Sequence, residues 1–149
     1  MTVAFADYID SLPAMEEQIS KVEHYAVMLC DALYLDIKRT QRLWHTTALA
    51  NNGPDTEYHQ RKIAEIDNEG VDHEFYIESG RKYHKLIHQS RAGGSRSIHA
   101  FIDKKTGEVF KPASWKAPAK GVRYNLLDEQ SREDCYRRAD WAGGYLYLR

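Results

Sequence analysis

Cysteine is nearly absent from this 149-residue chain: Cys30 and Cys135 are the only two. One pair makes a poor disulfide framework, and neither residue sits in a Cys-x-x-Cys zinc pattern. The expected setting is therefore intracellular and reducing. No apolar run approaches the ~20 residues needed to span a membrane. The first residues carry acids where a secretory leader has a basic region and an apolar run, so no signal peptide is expected. Pro (4) and Gly (9) are too sparse for a disordered or low-complexity chain.

What the chain does contain is a soluble composition, 42% hydrophobic and 29% charged, long enough for one domain with a real core. Tyrosine is common, at 10 residues, which suits interfaces and ligand platforms. The net charge of −1 hides an asymmetry. Residues 1–70 hold 12 acids and 6 bases, whereas residues 71–149 hold 10 acids and 15 bases. Between 80 and 125 there are 11 bases against only Asp103 and Glu108. A basic block inside a near-neutral protein points to a local anionic partner.

The periodicity changes once along the chain. Phe5, Tyr8, Ile9 and Leu12 have helical spacing, and Leu12-Pro13 is expected to interrupt that helix. From Pro13 to about Ala50, Ile19, Val22, Ala26, Leu29, Leu33 and Ile37 recur at steps of three and four. So long a helix needs a partner for its apolar stripe, either the rest of the chain or a second subunit. Asn51-Asn52-Gly53-Pro54 stops it, and a shorter helix is expected from Asp55 to Ile66.

After Gly70 the pattern alternates. Phe75 and Ile77, then Tyr83 to Ile87, read as a hairpin through Ser79-Gly80. From Ser97 to Asp103, Ile98, Ala100 and Ile102 fall on one face, with His99 and Phe101 on the other. Lys104-Lys105-Thr106-Gly107 is a turn, Glu108 to Lys111 returns, and Pro112 limits further pairing. Ser131 is a good N-cap for a helix from Arg132 to Ala139, and Tyr145 to Leu148 reads as a final strand. The fold class is therefore α+β. Residues 1–70 form a helical anchor or oligomerisation region. Residues 71–149 form a small antiparallel β-rich ligand-binding core with a short C-terminal helix and a last strand.

Familiar catalytic patterns do not occur. His84 and His88 lie four apart in a strand, ~13 Å from one another, and no His-Glu-x-x-His or cysteine pair accompanies them, so no metal is expected. There is no Gly-x-Ser-x-Gly elbow, Walker lysine or Gly-x-Gly-x-x-Gly. His99 lacks a second catalytic member in the sequence, although a distant carboxylate such as Asp103 would supply one. Arg91-Ala92-Gly93-Gly94-Ser95-Arg96 offers freed backbone N–H groups and flanking cations, the makings of an anion nest.

The densest feature runs from Lys111 to Asn125. Lys111, Lys116, Lys120 and Arg123 are interleaved with Trp115 and Tyr124, and Pro112 and Pro118 stiffen the loop. An aromatic beside a cation stacks on a base while the cation meets a phosphate. Ser114 and Asn125 can contact ribose or base edges.

The run SIHAFIDKKTGEVFKPASWKAPAKGVRYNL, with GRKYHKLI before it and RADWAGGYLY after it, resembles a group of small tailed-bacteriophage proteins. Its layout is also similar to the first class of phage Thoeris anti-defence proteins. The resemblance covers roughly Gly80 to Tyr147. It implies N-terminal helices that anchor a homo-oligomer and a β-rich core that sequesters cyclic ADP-ribose-type signals or cyclic oligonucleotides without cleaving them. The place of action would be the host cell cytoplasm, with no cofactor. By position it implies a pocket drawing on Arg81, Lys82, Tyr83, His99, Phe101, Lys111, Trp115, Lys116, Lys120, Arg123 and Asn125.

Three other functions are compatible with the same residues. A nucleic-acid-binding accessory protein would use the basic loop to grip a backbone. A nucleotide-processing enzyme would act through His99. An inhibitor of a host defence enzyme would use the tyrosines and the acidic helical half as an interface.

Overall fold

A computed structural model describes residues 5–147 of the chain. Helix α1 runs unbroken over Phe5–Ala50, and α2 covers Thr56–Glu69. Five strands follow: β1 (Glu74–Ser79), β2 (Tyr83–Gln89), β3 (Ser97–Asp103), β4 (Glu108–Phe110) and β5 (Tyr124–Asn125). They pair antiparallel in the order of the sequence. Helix α3 (Glu129–Arg138) and a 3-10 turn at Gly144–Leu146 complete the chain. The fold is α+β, as the change of period implies.

Helix α1 buries Val22, Ala26, Leu29, Leu33 and Ile37 in one cluster with Leu86, Ala100, Ile102 and Val109 of the sheet and Leu126, Cys135 and Leu146 beyond it. These apolar side chains leave water together, which is the main force holding helix to sheet. Helices and sheet thus share a single core. Both thiols, Cys30 and Cys135, are free and buried in it. Among the described residues no helix is long and apolar enough to cross a membrane.

Three local expectations are corrected. Pro13 lies inside α1 and does not break it. Proline removes one helical N–H, but this part of α1 is exposed, so solvent can satisfy the orphaned carbonyl. Helix α3 starts a turn earlier than expected. Asp128 is its N-cap and accepts from the Ser131 N–H at 3.0 Å, while the Ser131 hydroxyl accepts from the Asn125 N–H at 2.8 Å. The expected final strand is the 3-10 turn at Gly144–Leu146, with an extended Tyr147 after it; Leu148 lies outside the described residues.

The β3–β4 turn matches its sequence signals. The Asp103 carboxylate accepts from the Lys105 and Thr106 N–H groups at 2.9 and 3.1 Å, and Gly107 takes φ 75°. Strand β4 ends at Phe110, and beyond it Pro112 makes only an isolated bridge to Pro118.

Candidate functional site

The register between β2 and β3 slips by one residue. Leu86 faces Ala100, but Ile87 faces Ile98, which leaves His99 as an extra residue on β3. Such a bulge redirects a side chain. His99 turns to the helix side of the sheet, edge-on to Phe75 at 5.8 Å between ring centres, and Phe75 belongs to the main core. Ile98 is left out of that core. The strict alternation expected over Ser97–Asp103 therefore holds only from Ala100 onward.

At this end of the sheet the imidazoles form a row. His73 Nδ1 lies 2.9 Å from His88 Nε2, and His88 stacks on Phe75 at 4.4 Å. His99 Nε2 lies 2.8 Å from the Tyr145 hydroxyl. Burial, reinforced by His88, pushes the His99 pKa down to about 4, against a weaker pull from Asp140. Burial first, then His73, also lowers His88. Burial drives the Tyr145 phenol well above its ordinary value. His88 and His99 are uncharged near neutral pH and offer neutral donors and acceptors.

Against this row the C-terminal segment closes a cleft of about 410 Å³. Its floor includes His88 and His99, and Lys111, Trp141, Gly143 and Tyr147 stand around it. Trp141 is 39% and Tyr147 63% exposed. Lys111 Nζ sits 4.8 Å from the centre of the Tyr147 ring. Among the described residues no carboxylate lines the cleft, and Lys111 is the one Lys or Arg that does. The volume suits a small organic ligand, and the wall supplies aromatic faces and a positive charge.

The loop after Lys111 is held by its own backbone. Ala119 N–H donates to the Lys111 carbonyl at 2.7 Å, and the Ala113 and Ser114 N–H groups both reach the Ala117 carbonyl. The Ser114 hydroxyl accepts from the Lys116 N–H at 3.2 Å. Trp115 leaves this loop 42% exposed, with Lys85 Nζ 5.1 Å and the Arg96 guanidinium 5.2 Å from its ring centre. Arg96 also pairs with Glu78 and lies over Tyr76. Lys85 alternates with the core residue Leu86, and Tyr76 with Phe75, so Trp115 and its cations lie on the sheet face turned away from α1.

The residues expected to share one pocket are divided among several tasks. His99 and Lys111 line the cleft. Lys116 and Lys120 are exposed and take no part in the ion pairs among the described residues. Arg81 and Lys82 lie in the β1–β2 turn, at the Asp103 end of β3 and away from His99. Tyr83 packs edge-on to Phe101 and Phe110, and Phe101 is only 1% exposed, so its ring faces are taken.

Arg123 is committed to backbone carbonyls, with Nε donating to Leu146 at 2.7 Å and a terminal nitrogen donating to Lys120 and Gly121 at 2.6 Å. Tyr124 donates to the Tyr145 carbonyl, and the Asn125 side-chain oxygen accepts from the Leu127 N–H. Arg123 and Tyr124 thus tie β5 to the C-terminal turn, whereas Asn125 belongs to the Gly107 end of the sheet, next to the start of α3.

The expected anion nest around Ala92 is filled from within. Asp72 accepts from the Ala92 N–H at 2.9 Å and from the Ser90 hydroxyl at 2.7 Å. The Ser90 bond first, then the Ala92 N–H, lowers the Asp72 carboxyl below the usual range. His84 and His88 do not act together: His84 Nδ1 contacts the Ser79 hydroxyl at 2.6 Å, while His88 pairs with His73.

Sequence reasoning missed Trp141, Gly143 and Tyr147. Their only signal was the Trp-Ala-Gly-Gly run after a helix end, which suggests a chain reversal carrying an exposed aromatic. Lys85 and Arg96 belonged to the basic block, but only cross-strand geometry brings them to Trp115.

The chain belongs to DUF7717, a family of unknown function whose model matches residues 5–148. No curated protein and no solved structure matches it.

Proposed function

We propose that this protein binds a small nucleotide in the cleft between the start of β3, the residues that follow β4 and the C-terminal turn, and holds it without cleaving it. The observation that carries this reading is the cleft wall: among the described residues, one lysine, two exposed aromatic rings and no carboxylate around about 410 Å³. Lys111 meets a phosphate, Trp141 or Tyr147 stacks on a base, and the neutral imidazoles hydrogen-bond its edge. Lys116 and Lys120, exposed on the loop that follows Lys111, extend the positive field along that loop.

Retention rather than turnover is supported by the state of His99. A pKa of about 4 and a hydrogen bond to Tyr145 make it a weak base at neutral pH. Asp103, the nearest carboxylate on its strand, is engaged in the β3–β4 turn. In the setting that the resemblance implies, the ligand is an immune signal of the host cell cytoplasm, a cyclic ADP-ribose isomer or a cyclic oligonucleotide, and the protein is a phage-encoded sponge for it.

Incubation with cyclic ADP-ribose isomers and with cyclic di- and trinucleotides, followed by thermal melting and heat release, tests the reading. At a hundredfold excess over Kd the cognate ligand raises Tm by about 5 °C or more, and it is recovered intact. If nothing in that panel shifts Tm, or if the recovered ligand is a cleavage product, the reading fails.

The Trp115 surface favours a second reading, binding of single-stranded nucleic acid by stacking and backbone contact. That reading requires affinity for oligonucleotides that falls steeply with salt.

A further inference from the structure

The apolar stripe of α1 does not end where the body of the protein ends. Phe5, Tyr8, Leu12, Met15, Ile19, Val22, Ala26, Leu29 and Leu33 alternate steps of three and four without a break, the spacing of a coiled-coil seam. From Val22 on, the stripe is covered by the sheet, with Val22, Ala26, Leu29 and Leu33 at 0% exposure. Before Val22 no residue of α1 is buried. Phe5 is 78%, Tyr8 49% and Met15 38% exposed, with Ile9 beside them at 44%. Among the described residues, no hydrogen bond or ion pair joins Phe5–Ala14 to any part of the chain outside α1. The first anchor is Gln18, which donates to the Lys105 carbonyl in the β3–β4 turn.

The geometry points to a second copy of this chain as the partner of this overhang, with the two overhangs packed antiparallel. The sheet decides the orientation. It occupies the same helix face from Val22 onward, so a parallel partner helix would run into it one turn beyond Ile19. An antiparallel partner starts at that edge and leads away past Phe5, and each body keeps its own sheet. Charge agrees with this arrangement. The overhang carries Asp7 and Asp10, and antiparallel packing brings them beside the Lys104–Lys105 turn of the other copy, which Gln18 fixes against the helix. The residues flanking the seam, Ile9, Ser11, Glu16 and Gln18, place no row of like charges against itself. Pro13 falls outside the seam, so its ring does not obstruct packing.

Light scattering of the full chain after size exclusion, at about 100 µM, tests the inference. The wild type is expected at twice its 17.3 kDa mass. Leu12→Asp with Met15→Asp is expected to be monomeric, with a circular dichroism spectrum and Tm close to wild type, because neither residue belongs to the core. Lys104→Glu with Lys105→Glu is expected to weaken association at least tenfold, and adding Asp7→Lys with Asp10→Lys to restore it. A monomeric wild type overturns the inference. So does a dimer that survives Leu12→Asp with Met15→Asp, since the interface would then lie elsewhere. Failure of the four-residue charge swap to restore association overturns the antiparallel arrangement. None of these readouts depends on a nucleotide, so they stand or fall apart from the cleft.

Discussion

His99 and Tyr145 are 46 positions apart in the chain, yet the imidazole Nε2 and the phenol oxygen lie 2.8 Å from one another, and this bond fastens the bulge of β3 to the C-terminal turn. Tyr145→Phe removes the phenol and leaves a buried imidazole nitrogen unpaired. The expected cost is about 1–3 kcal/mol of unfolding free energy, read from urea denaturation. The same variant is expected to weaken nucleotide binding, because the turn carrying Gly143 and Tyr147 loses its tether. An unchanged denaturation midpoint would show that the bond contributes nothing to stability.

Acid should destabilise the fold through His99. Its pKa is about 4 in the folded protein, against an ordinary value near 6.5. Between those values the unfolded chain binds more protons than the folded one, so stability rises with pH across that window. The contribution is complete above about pH 6.5 and is lost as pH falls toward 4. Denaturation midpoints are expected to drop between pH 7 and 4.5 by the equivalent of about 2–3 kcal/mol. His99→Gln is expected to flatten that profile, although His84 and His88, also lowered chiefly by burial, retain part of the slope. A profile as steep in His99→Gln as in wild type would assign the effect elsewhere.

Lys111 and Arg123 should separate by phenotype. Lys111 stands at the cleft with its ammonium over Tyr147, whereas Arg123 is spent on three backbone carbonyls. Lys111→Ala is expected to weaken nucleotide binding about tenfold, roughly 1.4 kcal/mol, and to leave Tm nearly unchanged. Arg123→Ala is expected to lower stability by about 1–3 kcal/mol. Titration calorimetry and thermal melting on the two variants make the comparison.

Two glycines should respond differently to alanine. Gly70 has φ 82°, and a Cβ there would collide with the Tyr34 hydroxyl. Gly93 has φ 98°, with no atom within 4 Å of the added carbon. Gly70→Ala is expected to cost more than Gly93→Ala, which carries only the backbone term of about 1 kcal/mol. Equal losses in chemical denaturation would refute the steric account.

Much of this architecture was legible where one physical signal dominates. The step of three and four through Ile19 to Ile37 gives α1, and alternation with turn residues gives β1 to β4, whereas the two-residue β5 at Tyr124–Asn125 is too short to alternate. The β3–β4 turn follows from Asp103 and Gly107. The losses occurred where a local rule was overridden. Pro13 ends helices in buried surroundings, but on an exposed stretch it removes one bond that solvent replaces. The bulge at His99 leaves no mark in composition, because a one-residue slip preserves the residues and changes only their faces. The candidate cleft was half legible. Lys111 and His99 were named, but Trp141 and Tyr147 reach it only through the fold of the C-terminal turn. Arg123, Tyr124 and Asn125 looked like ligand contacts because frame and site use the same polar groups, and only their hydrogen-bond partners tell them apart.

The two interior thiols have a practical consequence for spectroscopy. Burial pushes Cys30 and Cys135 up to about 12, so almost no thiolate exists at neutral pH, and both side chains are buried. Maleimide dyes and nitroxides would therefore ignore the native chain. A single cysteine introduced at Ser114, on the exposed loop, would be the sole point of attachment. The wild-type sequence is thus already a silent background for fluorescence and electron-spin distance measurements.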